Sequence, residues 1–287
     1  MEVGILGSGL IGTDLLVKLH RHKDLVVAGM AGIDPHSSGL AEAASLGVPT
    51  SADGLSGLLE IVSAPGIVID ATSASAHRMT SPILRARRIF CIDLTPAALG
   101  PAVVPGVGAG AALDAEEVNL VTCGTQATVP IVAAVAAITT VDYAEIVSTV
   151  AALSAGPGTR ANIDEFTTAT ARALESVGGA RQGKALIVLN PADPPITMRN
   201  AIHLEIARAE PGDIADAIDA AVERVRAYVP GYRLASQPLI DGGRVSIVVE
   251  VEGAGDFLPA YAGNLDIMTS AAIRVCEIFA AAAAVAA

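Results

Sequence analysis

The sequence is poor in aromatic and basic side chains. Its 287 residues include four Tyr, four Phe and no Trp, and 18 Lys and Arg stand against 30 Asp and Glu, a formal net charge of −12. Nucleic-acid binding needs clustered cations and, for single strands, aromatic side chains on which bases stack. The composition therefore argues against a nucleic-acid partner.

Cysteines are few, and the sequence shows no spacing typical of metal ligands. The three cysteines, at positions 91, 123 and 276, lie far apart and show no C-x-x-C spacing. The five histidines likewise lack the spacing of metal ligands. Neither a disulfide framework nor a zinc site is indicated, and we expect no bound metal.

Long apolar runs are absent, although 52% of the residues are hydrophobic. The longest uncharged apolar stretches, 131–141 and 278–287, are shorter than the ~20 residues of a membrane-spanning helix. The first residues do not form a basic region followed by an apolar segment, as a signal peptide would. We therefore expect a cytoplasmic protein that makes no membrane contact and buries its apolar excess in a core.

The first 120 residues alternate short apolar runs with helix-like segments. Each run is too short and too uniformly apolar for an amphipathic helix, so we predict buried strands at Val3–Leu6, Val26–Ala31, Ile67–Ala71, Ile89–Leu94 and Leu120–Thr122. Strands that alternate with helices form a parallel sheet with helices on both faces. The pattern predicts a Rossmann-type, doubly wound α/β domain.

The pattern changes after residue 123. A helix at 126–138 and a strand at 143–153 are followed by a helix, two strands, a helix and a strand up to residue 252. This order is typical of a mixed α/β sheet covered by helices on one face. A last helix, from about residue 265, is expected to return to the first domain. The domains are therefore predicted as 1–123, with 265–287 packed on it, and 124–264.

A glycine-rich turn joins the first strand to the first helix. Gly7, Gly9 and Gly12 form a G-x-G-x-x-G motif, and Asp34 follows the second strand, 22 residues after Gly12. Such a turn brings a dinucleotide pyrophosphate to the amide groups at the helix start, and an acid at this distance binds the adenosine ribose, which favours NAD over NADP. The alternative is a glycine turn without a cofactor and an ordinary loop acid at Asp34.

Cys123 stands between a predicted strand and a helix. A thiol at a helix N-terminus has a lowered pKa, the amide groups there can bind an oxyanion, and Gly124 would leave room for a substrate. The alternative is that Cys123 is one more buried apolar residue. Cys91, inside a strand, and Cys276, in the last helix, fit that alternative better. The position between two domains makes Cys123 the candidate nucleophile.

Two further segments are candidates for ligand contact. The small residues of 154–161 precede a helix that Asn162 caps, and they could form a wall on the nicotinamide or substrate side; a simple strand-to-helix connection is the alternative. Asn264, before the last helix, could cap that helix or bind the cofactor carboxamide. His77 is expected at the surface, or beside the site in a supporting role, rather than as the catalytic base.

The chain resembles the acylating acetaldehyde dehydrogenases of aromatic meta-cleavage pathways over nearly its whole length. The segments that carry the resemblance include GSGLIGTDLL, DATSASAH, IDLTPAALGP, VTCGTQATVPIV, SAGPGTRANIDEF, KALIVLNPADPP and VEVEGAGDFLPAYAGNLDIMTSAA. The resemblance implies that acetaldehyde or propanal, NAD and coenzyme A are converted to an acyl-CoA and NADH, with Cys123 as the thioester-forming nucleophile. The implied NAD contacts are Ser8, Gly9, Leu10, Ile11, Ser154, Ala155, Gly156, Pro157, Gly158, Thr159, Arg160, Ala161, Asn162 and Asn264.

The resemblance also implies partners. Such enzymes associate with a metal-dependent 4-hydroxy-2-oxovalerate aldolase that passes them its aldehyde through an internal channel. A dimer of this chain, formed by the second domain, would then bind two aldolases in a heterotetramer.

The chain departs from the usual family pattern in three places. Thr125 replaces the second glycine of Cys-Gly-Gly-Gln, Asn200 replaces the acid of Met-Arg-Asp, and the stretch between Leu234 and Val245 is shorter. Alternative functions are a phosphorylating or semialdehyde-type dehydrogenase, and a weakly active, NAD-responsive regulatory partner of an aldolase.

Overall fold

The computed structural model describes residues 1–62, 65–108, 112, 114–156, 160 and 163–286. Its first sheet has six parallel strands in the order β3-β2-β1-β4-β5-β6, which is that of a dinucleotide-binding domain. The strands are β1 Glu2–Leu6, β2 Val26–Ala31, β3 Thr50–Ser51, β4 Ile67–Asp70, β5 Phe90–Asp93 and β6 Glu117–Asn119. The predicted doubly wound fold is confirmed.

Helices cover both faces of this sheet because successive side chains of a strand point to opposite faces. On β1, Ile5 packs in one core cluster with Leu16 of the first helix, whereas Leu6 packs in another with Leu58 of the third helix. Burial on both faces explains why the strand sequences are uniformly apolar. The helices are α1 Leu10–His20, α2 Ser38–Ser45, α3 Gly54–Ile61 and α4 Ala74–Ala86.

The second sheet is mixed, as predicted. Its main order is β10-β12-β9-β7-β8, β11 pairs with β12, and β7 and β8 are parallel while the other pairs are antiparallel. Helices α5, α6 and α7 pack on this part of the molecule and leave the opposite sheet face open. The elements are α5 Cys123–Ala136, β7 Val141–Ala151, α6 Ile163–Ser176, β8 Gly183–Asn190, β9 Met198–Ile206, α7 Pro211–Arg226, β10 Tyr232–Leu234, β11 Leu239–Asp241 and β12 Arg244–Val251.

The last helix, α8 Gly263–Ala286, returns to the first sheet, which confirms the prediction. The Lys18 ammonium of α1 lies 2.7 Å from an Asp266 carboxylate oxygen of α8 and 2.9 Å from one of Asp14. The Phe279 ring stacks on Phe90 at a centroid distance of 4.1 Å. The stretch 263–284 is long and apolar enough to cross a membrane, but core helices of globular proteins meet the same criterion. Val275 of this stretch is fully buried in the core of the first sheet.

The connection between the domains differs from the sequence prediction. The last strand of the first sheet is β6 at 117–119 rather than 120–122, and α5 begins at Cys123 rather than at residue 126. Val121 has a φ of 62°, which is incompatible with a strand. The Thr122 hydroxyl accepts a hydrogen bond from the Thr125 amide at 3.0 Å and so caps α5. The polar cap and the turn, rather than the apolar run, set the helix start.

Candidate active site

The glycine-rich turn opens toward solvent at the start of α1. A Cβ on Gly7 would lie 2.6 Å from the Ala71 carbonyl oxygen, and one on Gly12 would lie 1.9 Å from the Gly7 carbonyl oxygen. A Cβ on Gly9 would meet no described atom within 4 Å. Gly9 is also the N-cap of α1 and supplies no side-chain acceptor to the first-turn amides. Those amides are therefore available to an anion.

The loop that carries Asp34 lies beside this turn. The Ser37 hydroxyl donates a hydrogen bond to the Ser8 carbonyl oxygen at 3.0 Å. Asp34 is exposed, and one of its carboxylate oxygens accepts a hydrogen bond from the His36 amide at 2.9 Å. The structure thus brings the turn 8–11 and Asp34 to the same edge of the sheet, as the phosphate and the ribose of a dinucleotide require.

Cys123 is the first residue of α5 and is partly exposed. It packs against the core clusters of both sheets, so it lies where the two domains meet. Burial raises the pKa of the Cys123 thiol to about 12, and hydrogen bonds from the backbone amides of Gly124 and Cys123 lower it only in part. The predicted lowering of the pKa is wrong for this structure, because desolvation outweighs the helix N-terminus.

The residues after Cys123 are tightly packed. A Cβ on Gly124 would lie 2.9 Å from the Phe166 ring and 2.9 Å from the Ser148 hydroxyl. The expected room for a substrate at Gly124 is therefore filled by these two side chains. The Thr125 side chain is fully buried, and its hydroxyl lies 2.9 Å from that of Thr122. Thr125 thus belongs to a buried hydroxyl cluster.

Asn200 lies below the same helix start. Its side-chain oxygen accepts a hydrogen bond from the Ser148 hydroxyl at 2.7 Å, and Ser148 borders Gly124. Asn200 is fully buried, and its side-chain nitrogen has no hydrogen-bond partner among the residues that the structure describes. The amide that replaces the family acid is therefore placed beneath the start of α5.

Asn264 meets the loop after β7, although 110 residues separate them. Its side-chain nitrogen donates a hydrogen bond to the Ser154 carbonyl oxygen at 3.3 Å. Because α8 begins at residue 263, Asn264 lies inside the first turn and is not the N-cap. Its side-chain oxygen is buried and, within the described part of the chain, unpartnered. That oxygen is a free acceptor for a ligand amide.

Arg160 turns back onto its own loop. Its guanidinium donates hydrogen bonds to the Ala155 carbonyl oxygen at 3.0 Å and the Ala152 carbonyl oxygen at 2.7 Å. Ala155 is buried and Gly156 is partly buried. The remaining expected contacts of this segment lie outside the described residues; they are Pro157, Gly158, Thr159, Ala161 and Asn162.

Similarity to known proteins fits this architecture. Residues 123–259 match the family model described as prokaryotic acetaldehyde dehydrogenase, dimerisation. Acetaldehyde dehydrogenase 2 of Nocardioides sp. is 54% identical over 98% of this chain and 95% of its own length. Acetaldehyde dehydrogenase of Bacillus thuringiensis is 51% identical over 98% and 94%. The chain belongs to the acetaldehyde dehydrogenase family. It is therefore an oxidoreductase of the aldehyde dehydrogenase type, and its dehydrogenase fold indicates use of NAD or NADP.

A solved structure shares the acetaldehyde dehydrogenase fold. Aspartate semialdehyde dehydrogenase II of Vibrio cholerae superposes with a TM-score of 0.61 and 13% sequence identity, covering 96% of this chain and 98% of that one. The similarity supports the fold alone. It shows that two sequences with little identity share this overall fold.

The chain also contains a buried charge cluster that the sequence analysis did not reveal. His77, on α4, is fully buried, so of the two expected positions the one at the surface is wrong. One ring nitrogen lies 2.9 Å from an Asp70 carboxylate oxygen, and the other lies 3.4 Å from Asp93 and 3.5 Å from Glu117. Arg85 lies 3.7 Å from Glu117 on the outer side. The three carboxylates belong to β4, β5 and β6. Acidic residues within these otherwise apolar strands were the sequence feature that could have indicated the cluster.

The net effect on the His77 imidazole favours its cation. Burial lowers the pKa of His77, but the Asp70 hydrogen bond and the charges of Asp93, Asp70 and Glu117 outweigh it, so the pKa is raised above 6.5. Burial raises the pKa of the Asp93 carboxyl. Among the described residues, no group of three His, Cys, Asp or Glu is arranged to hold a metal ion. The cluster is therefore an internal ion pair system beside the site.

The other two cysteines are fully buried, inside β5 and α8. Burial raises the pKa of Cys91 and of Cys276 well above the ordinary thiol value. Buried, protonated thiols are chemically inert. Cys123 is the partly exposed cysteine of the three.

Proposed function

We propose that the chain is an acylating, NAD-dependent acetaldehyde dehydrogenase that converts acetaldehyde or propanal, NAD and coenzyme A to the acyl-CoA, NADH and a proton. The observation that carries the proposal is the position of Cys123. It begins a helix, it faces two backbone amides, and it packs against the cores of both sheets. A nucleophile there meets a dinucleotide from one sheet and a substrate from the other.

Cys123 acts as the nucleophile. Its sulfur adds to the aldehyde carbonyl carbon as the thiol proton leaves, and the amides at the start of α5 donate to the resulting oxyanion. The acceptor for the hydride that leaves this carbon would be supplied by NAD when it is bound. The acyl group then remains on Cys123 as a thioester. The coenzyme A thiol displaces it, which forms the acyl-CoA and restores the cysteine.

We assign the NAD contacts to two places, the glycine-rich turn with Asp34 and the segment around residues 154–162 with Asn264. The backbone of Ser8, Gly9, Leu10 and Ile11 holds the pyrophosphate, and the exposed Asp34 carboxylate binds the ribose and repels a 2′-phosphate. On the nicotinamide side, we assign the wall to the segment 154–162, of which Ser154, Ala155, Gly156 and Arg160 are among the described residues. The Asn264 side-chain oxygen is buried and has no hydrogen-bond partner among the described residues, which supports its assignment as the acceptor that would hold the carboxamide.

We assign dimerisation to the open face of the second sheet. Leu186 and Val188 on β8 are 40% and 43% exposed, and they pair with Val147 and Thr149 of β7 on the same face. The matched dimerisation model over 123–259 supports this assignment. The domain division at 123 and 264 and a cytoplasmic location are parts of the same proposal. The family resemblance supports a 4-hydroxy-2-oxovalerate aldolase as the second partner.

The test is NADH formation from acetaldehyde in the presence of coenzyme A. Cys123→Ala is expected to abolish turnover while NAD still binds, and Cys91→Ser, at a buried thiol of the first sheet, controls for loss of a cysteine alone. Retained turnover in Cys123→Ala would contradict the nucleophile. Acceleration by phosphate but not by coenzyme A would indicate a phosphorylating enzyme instead.

Alkylation of Cys123 tests its protonation state. Because its pKa is about 12, the rate of carbamidomethylation by iodoacetamide is expected to rise about tenfold for each pH unit from pH 7 to pH 10. Free cysteine, whose pKa is about 8.5, is the control and levels off within this range. The rate is measured by mass spectrometry of the modified peptide. A plateau for Cys123 below pH 9 would show that the thiol is activated in the free enzyme.

A further inference from the structure

Val121, two residues before Cys123, adopts a conformation that its side chain disfavours. Its φ is 62°, in the left-handed region. A β-branched residue there is a genuine outlier, and such a conformation is strained. It persists only where neighbouring groups hold it.

Asn119 is the group that holds Val121. Its side-chain oxygen accepts the Val121 amide hydrogen bond at 2.8 Å. Its side-chain nitrogen donates to an Asp93 carboxylate oxygen at 2.7 Å and to the Thr95 carbonyl oxygen at 2.9 Å. Asn119 is 1% exposed. Because a carboxylate only accepts and an amide N–H only donates, these partners fix which end of the side chain faces Val121.

The turn at Val121 sets how the chain enters α5. The next residue, Thr122, is extended, with φ −143° and ψ 162°, and it caps the helix that begins with Cys123. A return of Val121 to negative φ would redirect Thr122, break its cap on α5 and so disturb the first turn of the helix that carries the thiol. The position of the sulfur therefore depends on a backbone state that is held from outside the helix.

We propose that Asn119 is a positioning residue for the Cys123 thiol, which it sets by holding Val121 in the left-handed conformation. The proposal rests on the proposed function, since it is Cys123 as nucleophile that needs the exact placement. Asp93 accepts a hydrogen bond from the Asn119 side chain and also lies beside His77, so it connects Asn119 to the buried cluster of His77. Asn119 itself touches neither substrate nor cofactor in this proposal.

The substitution Val121→Gly separates positioning from stability. Glycine adopts a φ near 60° without strain, so it no longer needs Asn119 to hold it there. Asn119→Ala is expected to lower kcat about 100-fold, the effect of a ~1 Å misplacement, with little change in KM for acetaldehyde. Val121→Gly alone is expected to stay within about threefold of the wild type. In the double variant, kcat is expected to recover to within about fivefold of Val121→Gly.

The experiment compares these four full-length proteins by kcat, KM, thermal midpoint and the rate of Cys123 carbamidomethylation at pH 8. Asn119→Ala is expected to slow alkylation, because loss of the Thr122 cap disorders the first turn, whose amides favour the thiolate. It also removes the Asp93 hydrogen bond, so it should lower the thermal midpoint equally in the wild type and in the Val121→Gly background. Recovery of kcat without recovery of the midpoint supports positioning; a double variant as slow as Asn119→Ala overturns it.

Asn119→Asp provides a second test in case Asn119→Ala does not fold. It keeps the acceptor for the Val121 amide but loses the donor to Asp93 and to the Thr95 carbonyl oxygen, and it places a second acid against Asp93. It is therefore expected to keep the alkylation rate of the wild type at a lower thermal midpoint. Slow alkylation in a folded Asn119→Asp overturns the proposal. Alkylation does not require coenzyme A or turnover, so a failure of the proposed reaction leaves this readout intact and the two failures distinguishable.

Discussion

Replacing Gly9 by alanine is expected to weaken NAD binding while leaving the first domain folded. A Cβ at this position meets no described atom within 4 Å, and the φ of −82° suits alanine. Alanine is a poorer N-cap than glycine, which costs about 0.5–1 kcal/mol. The added methyl lies where the pyrophosphate approaches the backbone, so we expect affinity to fall at least tenfold, or about 1.4 kcal/mol.

Replacing Gly12 by alanine is expected to act on folding instead. Its Cβ would lie 1.9 Å from the Gly7 carbonyl oxygen and 3.2 Å from the Met30 methyl group. The first contact is with backbone, so α1 must move away from β1 to relieve it. Overpacking of this kind costs roughly 1–3 kcal/mol, and we expect the upper end because no flexible side chain can give way.

Urea unfolding and calorimetric titration with NAD measure the two effects separately. Gly212→Ala, in the first turn of α7, is the matched control, because its Cβ would also meet no described atom within 4 Å and it lies outside the site. NAD affinity within twofold of the wild type for a folded Gly9→Ala would refute the close approach of the pyrophosphate. Wild-type stability for Gly12→Ala would refute the packing argument.

Two predictions concern buried charges. His77→Gln is expected to lower the free energy of unfolding by roughly 3–5 kcal/mol at pH 6; because the pKa of His77 is raised, its stabilisation is complete below about pH 6.5 and is lost as the pH rises through the raised value. In urea unfolding, the difference in unfolding free energy between the wild type and His77→Gln should therefore become smaller toward pH 9. The exposed His20→Gln is the control and should show no such change. A difference for His77→Gln that stays constant with pH would contradict the charge assignment. Lys18→Met leaves two buried carboxylates without their cation and should cost roughly 3–5 kcal/mol. The exposed Lys184→Met should cost far less, because its ion pair with Glu145 is open to solvent, and equal losses for the two lysines would contradict the role of burial.

Local patterns were sufficient for four of the six strands of the first sheet, β1, β2, β4 and β5, and for most helices. The strand of residues 3–6, the glycine turn and the helix to His20 lie within one short segment, and their apolar and glycine spacing reflects contacts between near neighbours. The short strands β3, β10 and β11 were not predicted. Strands of two or three residues carry no period of their own, and their pairing depends on strands far along the chain.

The start of α5 shows where local pattern fails. The run Leu120-Val121-Thr122 is apolar and β-branched, which favours a strand, yet Asn119 and the Thr122 cap turn it into a helix entry. The side chains that decide this conformation obtain their partners from β5 and α6. A single sequence does not show which distant groups will satisfy a buried amide.

Spacing along single segments was enough to predict the class of fold, the dinucleotide turn at Gly7 to Gly12, and Cys123 as the candidate nucleophile. Three features could be seen only in the folded chain: Gly124 is packed against Phe166 and Ser148, His77 is buried among three carboxylates, and burial raises the pKa of Cys123. Desolvation and charge pairing depend on every element that surrounds a group, and those elements are brought together only by the complete fold.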